Sequence, residues 1–156
     1  KLILEANDEL KKVKAIYKAN KNRSEELKAA MAQKDIEKVK TTLNDLVLQI
    51  NDGLVSGESA YSKIEKAEAM DINSTYKEYL ELKKDSLRKH LDAFELRRQV
   101  AQSFRNSFGG KDPKALDQAQ AELTEKENEF QKLIDEGRDL SKEANDLYEK
   151  SMEKTQ

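Results

Sequence analysis

Three basic side chains recur every seven residues on one stripe of a long amphipathic stretch: Lys83, His90 and Arg97. Seven residues make nearly two helical turns, so these side chains share a helix face with apolar residues such as Leu87 and Phe94. A row of cations on a core-facing stripe predicts a layer that binds an anion or a carboxylate inside a helical bundle. His90 would make that layer sensitive to pH. The alternative is that the long basic side chains extend into solvent and that His90 is hydrogen-bonded at the edge of the core.

The composition excludes several kinds of catalytic and metal site. The chain has no cysteine, which excludes disulfide frameworks, thiolate zinc sites and cysteine nucleophiles. A carboxylate-bridged di-iron bundle needs two Glu-x-x-His pairs, whereas the one histidine, His90, has Leu87 three residues before it. The sequence contains no Walker loop, dinucleotide-binding fingerprint or Gly-x-Ser-x-Gly turn. It therefore predicts a protein that is not an enzyme, with no catalytic centre, no metal and no cofactor.

The segment from Phe108 to Pro113 is the strongest helix break in the chain. It contains two of the five glycines and the only proline. Glycine supplies the left-handed backbone that ends a helix, whereas Asp112 and Pro113 are typical of the cap and first turn of the next one. One helix is therefore predicted to end near Phe108 and another to begin at Pro113.

Apolar residues at intervals of three and four predict four long helices at residues 2–32, 36–70, 75–108 and 113–154. The predicted fold is all-α: an elongated, antiparallel, up-and-down helical bundle that forms one domain over residues 1–156. Asp35 is the predicted N-cap after a turn at residues 33–35. The alternative places the break at residues 51–53, which gives a continuous first helix and a three-helix bundle.

Three glycines, Gly53, Gly57 and Gly137, fall on the predicted buried faces of the second and fourth helices. Glycine inside a helix costs about 1 kcal/mol relative to alanine, so its position on a buried face needs a reason. The sequence predicts that a neighbouring helix approaches closely at these positions. The alternative is that a bulky side chain or a ligand fills the space.

The four segments alternate in net charge, at +3, −3, +3 and −5 for residues 1–32, 33–72, 73–110 and 111–156. Each helix in a sequentially wound ring then lies beside helices of opposite charge, which favours that arrangement. The third helix is locally basic, with Arg88, Lys89, Arg97, Arg98 and Arg105. Pairing with the acidic second and fourth helices is the preferred interpretation, and an anionic polymer is the alternative. No binding to nucleic acid is predicted.

The bundle is predicted to be a non-enzymatic binding or scaffolding domain. In composition and architecture it resembles the Lys/Glu-rich helical domains of bacterial surface lipoproteins. That resemblance implies an extracytoplasmic place, at the bacterial cell surface or in the periplasm, with the membrane reached only through a tether outside this sequence. The lack of cysteine and a first residue that is not methionine point the same way. The predicted partner is a protein or a component of the cell envelope, and the chain is expected to be a monomer or a weak homodimer.

Two other functions are compatible with the sequence. The first is a ligand-sensing four-helix domain similar to the external part of chemoreceptors, with its ligand near His90 and Arg97. The second is a cytoplasmic coiled-coil adaptor that dimerises through an exposed stripe.

Overall fold

The computed structural model describes residues 1–107 and 113–153, and over these ranges it consists of four helices. They are α1 (Leu2–Ala32), α2 (Ile36–Glu68), α3 (Ser74–Ser107) and α4 (Pro113–Glu153). The predicted all-α, antiparallel four-helix bundle is confirmed, and the helix bounds agree with the predicted ones to within two residues. The break predicted between Phe108 and Asp112 lies outside the described residues.

The link between α1 and α2 settles which of the two alternative helix breaks is real. Lys34 adopts a left-handed backbone with φ 56°. The Asp35 amide donates to the Ala30 carbonyl over 3.0 Å and the Lys34 amide to Met31 over 3.0 Å, which is the bonding pattern of a Schellman C-cap. The Asp35 side chain then accepts a hydrogen bond from the Lys38 amide at 3.1 Å and caps α2. The three-helix alternative is wrong, because residues 51–53 continue inside α2.

The link between α2 and α3 is stabilised by another polar cap. The Asn73 side chain accepts a hydrogen bond from the Tyr76 amide at 2.7 Å, and its carbonyl accepts one from the Lys77 amide at 3.1 Å. These bonds satisfy amides in the first turn of α3 that lack a partner within the helix. The helix therefore begins at Ser74, one residue before the predicted start.

The buried core follows the long axis of the bundle in three clusters. Ala6, Ala67 and Leu80 belong to the cluster at one end. Ile50 and Phe94 belong to the central cluster, and the third surrounds Leu27, Leu43 and Phe104. Because Tyr79 packs against the first cluster and its ring lies 5.4 Å from that of Tyr148, the start of α1 and the end of α4 lie at the same end of the bundle.

The helices α1 and α4 are not in backbone contact. Among the described residues, Cα atoms approach within 8 Å between α1 and α2, between α2 and α3, and between α3 and α4. Between α1 and α4 they do not. Side chains join these two helices instead: Tyr17 stacks on Phe130, with ring centroids 6.3 Å apart and planes within 8° of parallel. The bundle therefore has an open seam between its first and last helices.

Ion pairs connect the basic helices with their acidic neighbours. In α3, Lys89 pairs with Glu136 of α4 at 2.7 Å and Lys84 pairs with Glu68 of α2. Arg88 also reaches α2, where it lies 3.4 Å from Glu58. Much of the basic surface of α3 is thus used between helices of this chain, although each exposed pair contributes little stability.

The three glycines lie where side chains of neighbouring helices reach the backbone. A Cβ added at Gly57 would overlap the Cδ2 atom of Leu91. At Gly53 it would lie 3.1 Å from Ile16 Cγ2, and at Gly137 it would lie 2.5 Å from His90 Cε1. Because glycine has no side chain, residues of α1 and α3 can pack against the helix backbone at these positions. In exchange, each glycine lowers the helix propensity of its segment.

We expect Gly57→Leu to lower the free energy of unfolding by about 1–3 kcal/mol or more, because the added side chain has to displace the buried Leu91. Urea denaturation followed by circular dichroism measures the change. Asp52→Leu, at an exposed position of the same helix, is the matched control and should have little effect. Equal midpoints for the two variants would contradict close packing at Gly57.

Candidate ligand-binding groove

The open seam leads into a groove of about 1020 Å³ between α1 and α4, with α3 as its floor. Its α1 wall runs from Ile3 to Tyr17, which is about 20 Å of helix. The Tyr17–Phe130 stack lies at its inner end, and Tyr79 lies towards the end where the chain begins. A cleft of this volume is at the upper end of the range of small-molecule sites, which is about 300–1,000 Å³.

The floor of the groove is apolar, whereas its polar lining is mostly basic. Leu80, Leu87 and Phe94 of α3 form the apolar part of the floor, and apolar residues of α1 line the adjoining wall. The described residues that line the groove include five lysine or arginine side chains and one carboxylate, and these are Lys11, Lys14, Lys83, Arg138, Lys142 and Asp8. The carboxylate is already paired with Lys11 at 2.8 Å. Arg138 pairs at 3.3 Å with Asp135, which lies just outside the groove. Of the described cations in the lining, Lys14, Lys83 and Lys142 are therefore the ones without an ion pair.

Lys83 is the cation most firmly held in the groove. Its Nζ donates to Asn145 Oδ1 at 2.8 Å, to Ser141 Oγ at 3.0 Å and to the Ser141 carbonyl at 3.3 Å. These acceptors are all neutral, so they satisfy the ammonium hydrogen bonds without balancing its charge. Burial lowers the pKa of Lys83, and the nearby charge of Lys14 lowers it further.

His90 lies deeper along the same floor and is half-buried. Its Nδ1 lies 2.7 Å from the Ser86 carbonyl oxygen, and because a carbonyl can only accept, Nδ1 carries the hydrogen. The Ser86 hydroxyl in turn donates to the Gly137 carbonyl at 2.6 Å, which ties α3 to α4 beside the imidazole. Burial is the main cause that lowers the pKa of His90. The bond to Ser86 partly opposes it, and the charges of Arg138 and Lys14 add to it.

Arg97 does not belong to the groove. Its guanidinium lies 3.5 Å from the centroid of the Phe130 ring, donates to the Glu127 carboxylate, and donates to Asn20 Oδ1 over 3.2 Å. The predicted layer of Lys83, His90 and Arg97 is therefore divided. The first two line the groove, whereas Arg97 forms a paired polar contact next to the Tyr17–Phe130 stack.

Other groove residues were missed by the sequence analysis. Lys14 of α1 influences the pKa of both Lys83 and His90, and Ser141 and Asn145 of α4 hold the Lys83 ammonium. Helical periodicity identifies the face on which each of these residues lies. It does not show that α1 and α4 lie apart, or that the faces carrying these residues line one groove.

No protein-family model matches the sequence, and neither a curated protein nor a solved structure shows significant similarity to it. Within residues 1–107 and 113–153, no three His, Asp or Glu side chains are grouped as metal ligands would be. No helix in these ranges has an apolar stretch of the length needed to cross a bilayer.

We expect the unliganded protein to lose stability as the pH falls from about 7.5 to about 5.5. The pKa of His90 is lower in the folded chain than its ordinary value of 6.5, so the unfolded chain binds the proton more readily. The loss is at most about 1.4 kcal/mol for each pH unit, the limit for a single proton. Melting temperatures across this range measure it.

His90→Gln is the control for the pH experiment, because His90 is the one histidine of the chain. The ordinary pKa values of Asp and Glu, 3.8 and 4.5, lie below this range, so carboxylates contribute little to the change. The variant should show a much flatter pH dependence than the natural protein. A melting temperature that rises on acidification in the natural protein, or an equal drop in the variant, would contradict the assignment.

We expect Arg97→Leu to lower the free energy of unfolding by about 1–3 kcal/mol, because Glu127 and Asn20 both lose a hydrogen-bond donor. The Arg97 side chain is only 10% exposed. Arg88→Leu is the control: that side chain is 54% exposed, and its loss should cost less than about 1 kcal/mol. Chemical denaturation compares them, and equal effects would show that the Arg97 contacts stabilise no more than a surface pair.

Proposed function

We propose that the protein is a non-enzymatic binding domain whose groove between α1 and α4 takes up a ligand with an acidic group. The observation that supports this best is the half-buried ammonium of Lys83, which is surrounded by neutral acceptors. A charge partly removed from water without a counter-charge is costly, and burial accordingly lowers the pKa of Lys83. A carboxylate or phosphate in the groove would supply the missing negative charge.

The remaining cations of the groove support the same ligand chemistry. Among the described residues, neither Lys14 nor Lys142 has an ion-pair partner, although both line the groove. Lys14 is close enough to influence both Lys83 and His90, so an anion near it would interact with the α1 wall and the α3 floor of the groove together. Hydrogen bonds between an ammonium and an anionic oxygen are about twice as strong as neutral ones.

A ligand-sensing domain is the second candidate function, and the shape of the groove favours it. A ligand in the groove would touch α1 on one wall and α4 on the other. The start of α1 and the end of α4 lie at the same end of the bundle, so bridging the two helices would change their spacing there. The extracytoplasmic location and the membrane tether predicted from the sequence also remain proposals, as does a protein or cell-envelope partner.

We expect a panel of carboxylates and phosphates, with alkyl groups from methyl to dodecyl, to contain at least one compound that binds. Isothermal titration calorimetry on the intact chain measures the affinity. Lys83→Met should weaken that compound about tenfold, which corresponds to about 1.4 kcal/mol. Lys14→Gln should act in the same direction, because it removes a second cation from the groove.

Lys18→Gln is the matched control for these variants, because Lys18 lies one helical turn beyond Lys14 and is exposed outside the groove. Its affinity for the same compound should be unchanged. If no member of the panel binds at millimolar concentration, or if the Lys18 and Lys83 variants weaken binding equally, the proposed function is wrong.

A further inference from the structure

The unpaired cations of the groove lie on both of its walls. Among the described residues, these cations are Lys14 on the α1 wall, Lys83 on the α3 floor and Lys142 on the α4 wall. The Lys83 ammonium is held close to Lys142, because it donates a hydrogen bond to the adjacent Ser141. Lys14 and Lys142 are exposed, so a ligand between the walls can reach both. A ligand that pairs with all three cations therefore carries acidic groups on two opposite sides.

Apolar side chains extend along the whole groove between these cations. On two of its helices they recur every seven residues, as Ile3, Leu10 and Tyr17 of α1 and Leu80, Leu87 and Phe94 of α3. The three residues of α1 are half-buried and keep apolar surface that a ligand can cover. Leu4, at the groove mouth, is 70% exposed. Apolar surface that repeats with the period of a helix is complementary to the apolar stripe of another helix.

The dimensions of the groove match those of one helix. Its volume of about 1020 Å³ is the space open to the centres of water molecules, and over about 20 Å this space is about 8 Å wide. Because a water molecule has a radius of about 1.4 Å, the surfaces of opposite walls are about 11 Å apart. An α-helix with its side chains is about 10–12 Å across, and about 13 residues of helix extend over 20 Å.

We infer that the groove binds an amphipathic α-helix of a partner protein, with acidic side chains on both edges of its apolar stripe. The stripe covers the apolar residues of α1 and α3, and the acidic edges pair with Lys14 on one wall and with Lys83 and Lys142 on the other side. This inference rests on the proposed function, because it assumes that the groove takes up an acidic group. A second copy of the chain is less suited to the groove, because its helices already pack their apolar stripes into their own core.

The experiment uses a synthetic helical peptide of about 13 residues, with leucines on one face and glutamates on both edges of that face. Fluorescence anisotropy measures its affinity for the intact chain. A peptide of the same composition, with the leucines distributed around the helix, should bind at least about tenfold more weakly because it cannot bury them together. A peptide with glutamine in place of glutamate should also bind about tenfold more weakly. Circular dichroism checks that the three peptides are equally helical.

Variants of the chain show whether the peptide lies in the groove. Leu4→Asp should weaken the glutamate peptide at least about tenfold, because it replaces apolar contact with a repelling carboxylate. Leu48→Asp is the matched control, because Leu48 is 63% exposed on α2 and lies outside the groove. Lys14→Gln and Lys142→Gln, on opposite walls, should each weaken the glutamate peptide about threefold and leave the glutamine peptide unchanged.

The outcomes separate the partner helix from the proposed function. If a small acid binds through Lys83 but the glutamate peptide binds no better than the peptide with distributed leucines, the partner helix is overturned and the binding of an acidic group stands. If neither the peptides nor the small acids bind, both are overturned. Self-association of the chain in sedimentation velocity that Leu4→Asp abolishes would assign the groove to a second copy and overturn the partner helix.

Discussion

The stack of Tyr17 on Phe130 is the contact on which the arrangement of α1 and α4 depends. In the described part of the chain these helices have no Cα atoms within 8 Å of one another, so side chains have to connect them. Ile50 of α2 and Phe94 of α3 belong to the core cluster against which this stack packs, so α2 and α3 contact it at the same position along the bundle. Arg97 supports the stack by lying over the Phe130 ring while it is paired with Glu127. From this level towards the start of α1, the first and last helices leave the groove open.

The groove lowers the stability of the unliganded protein, and this loss of stability supports a binding role. Lys83 keeps its charge among neutral acceptors, and the exposed Leu4 leaves apolar surface in water. A bundle with a purely structural role would be more stable if α1 and α4 closed over this space, because dense packing is favoured in protein interiors. A ligand with an acidic group would supply the negative charge that Lys83 lacks.

Much of the fold could be predicted from the sequence, because long helices with regular apolar spacing carry strong local signals. The four helix ranges and the Asp35 cap follow from periodicity and capping chemistry alone. The sequence left two positions open for the first break, since residues 51–53 and 33–35 both resemble turns. The structure decides between them through Lys34, whose left-handed backbone completes a Schellman cap without glycine.

The sequence by itself determined which residues share a helix face, because a fixed helical repeat depends on local geometry alone. Lys83, His90 and Arg97 do lie on one stripe of α3, but fourteen residues of helix extend over about 21 Å. Residues so far apart along a bundle meet different neighbours. Only the tertiary structure placed Ser141 and Asn145 beside Lys83, and Glu127 beside Arg97. It also separated α1 from α4, because the distance between two helices depends on side chains that are remote in sequence.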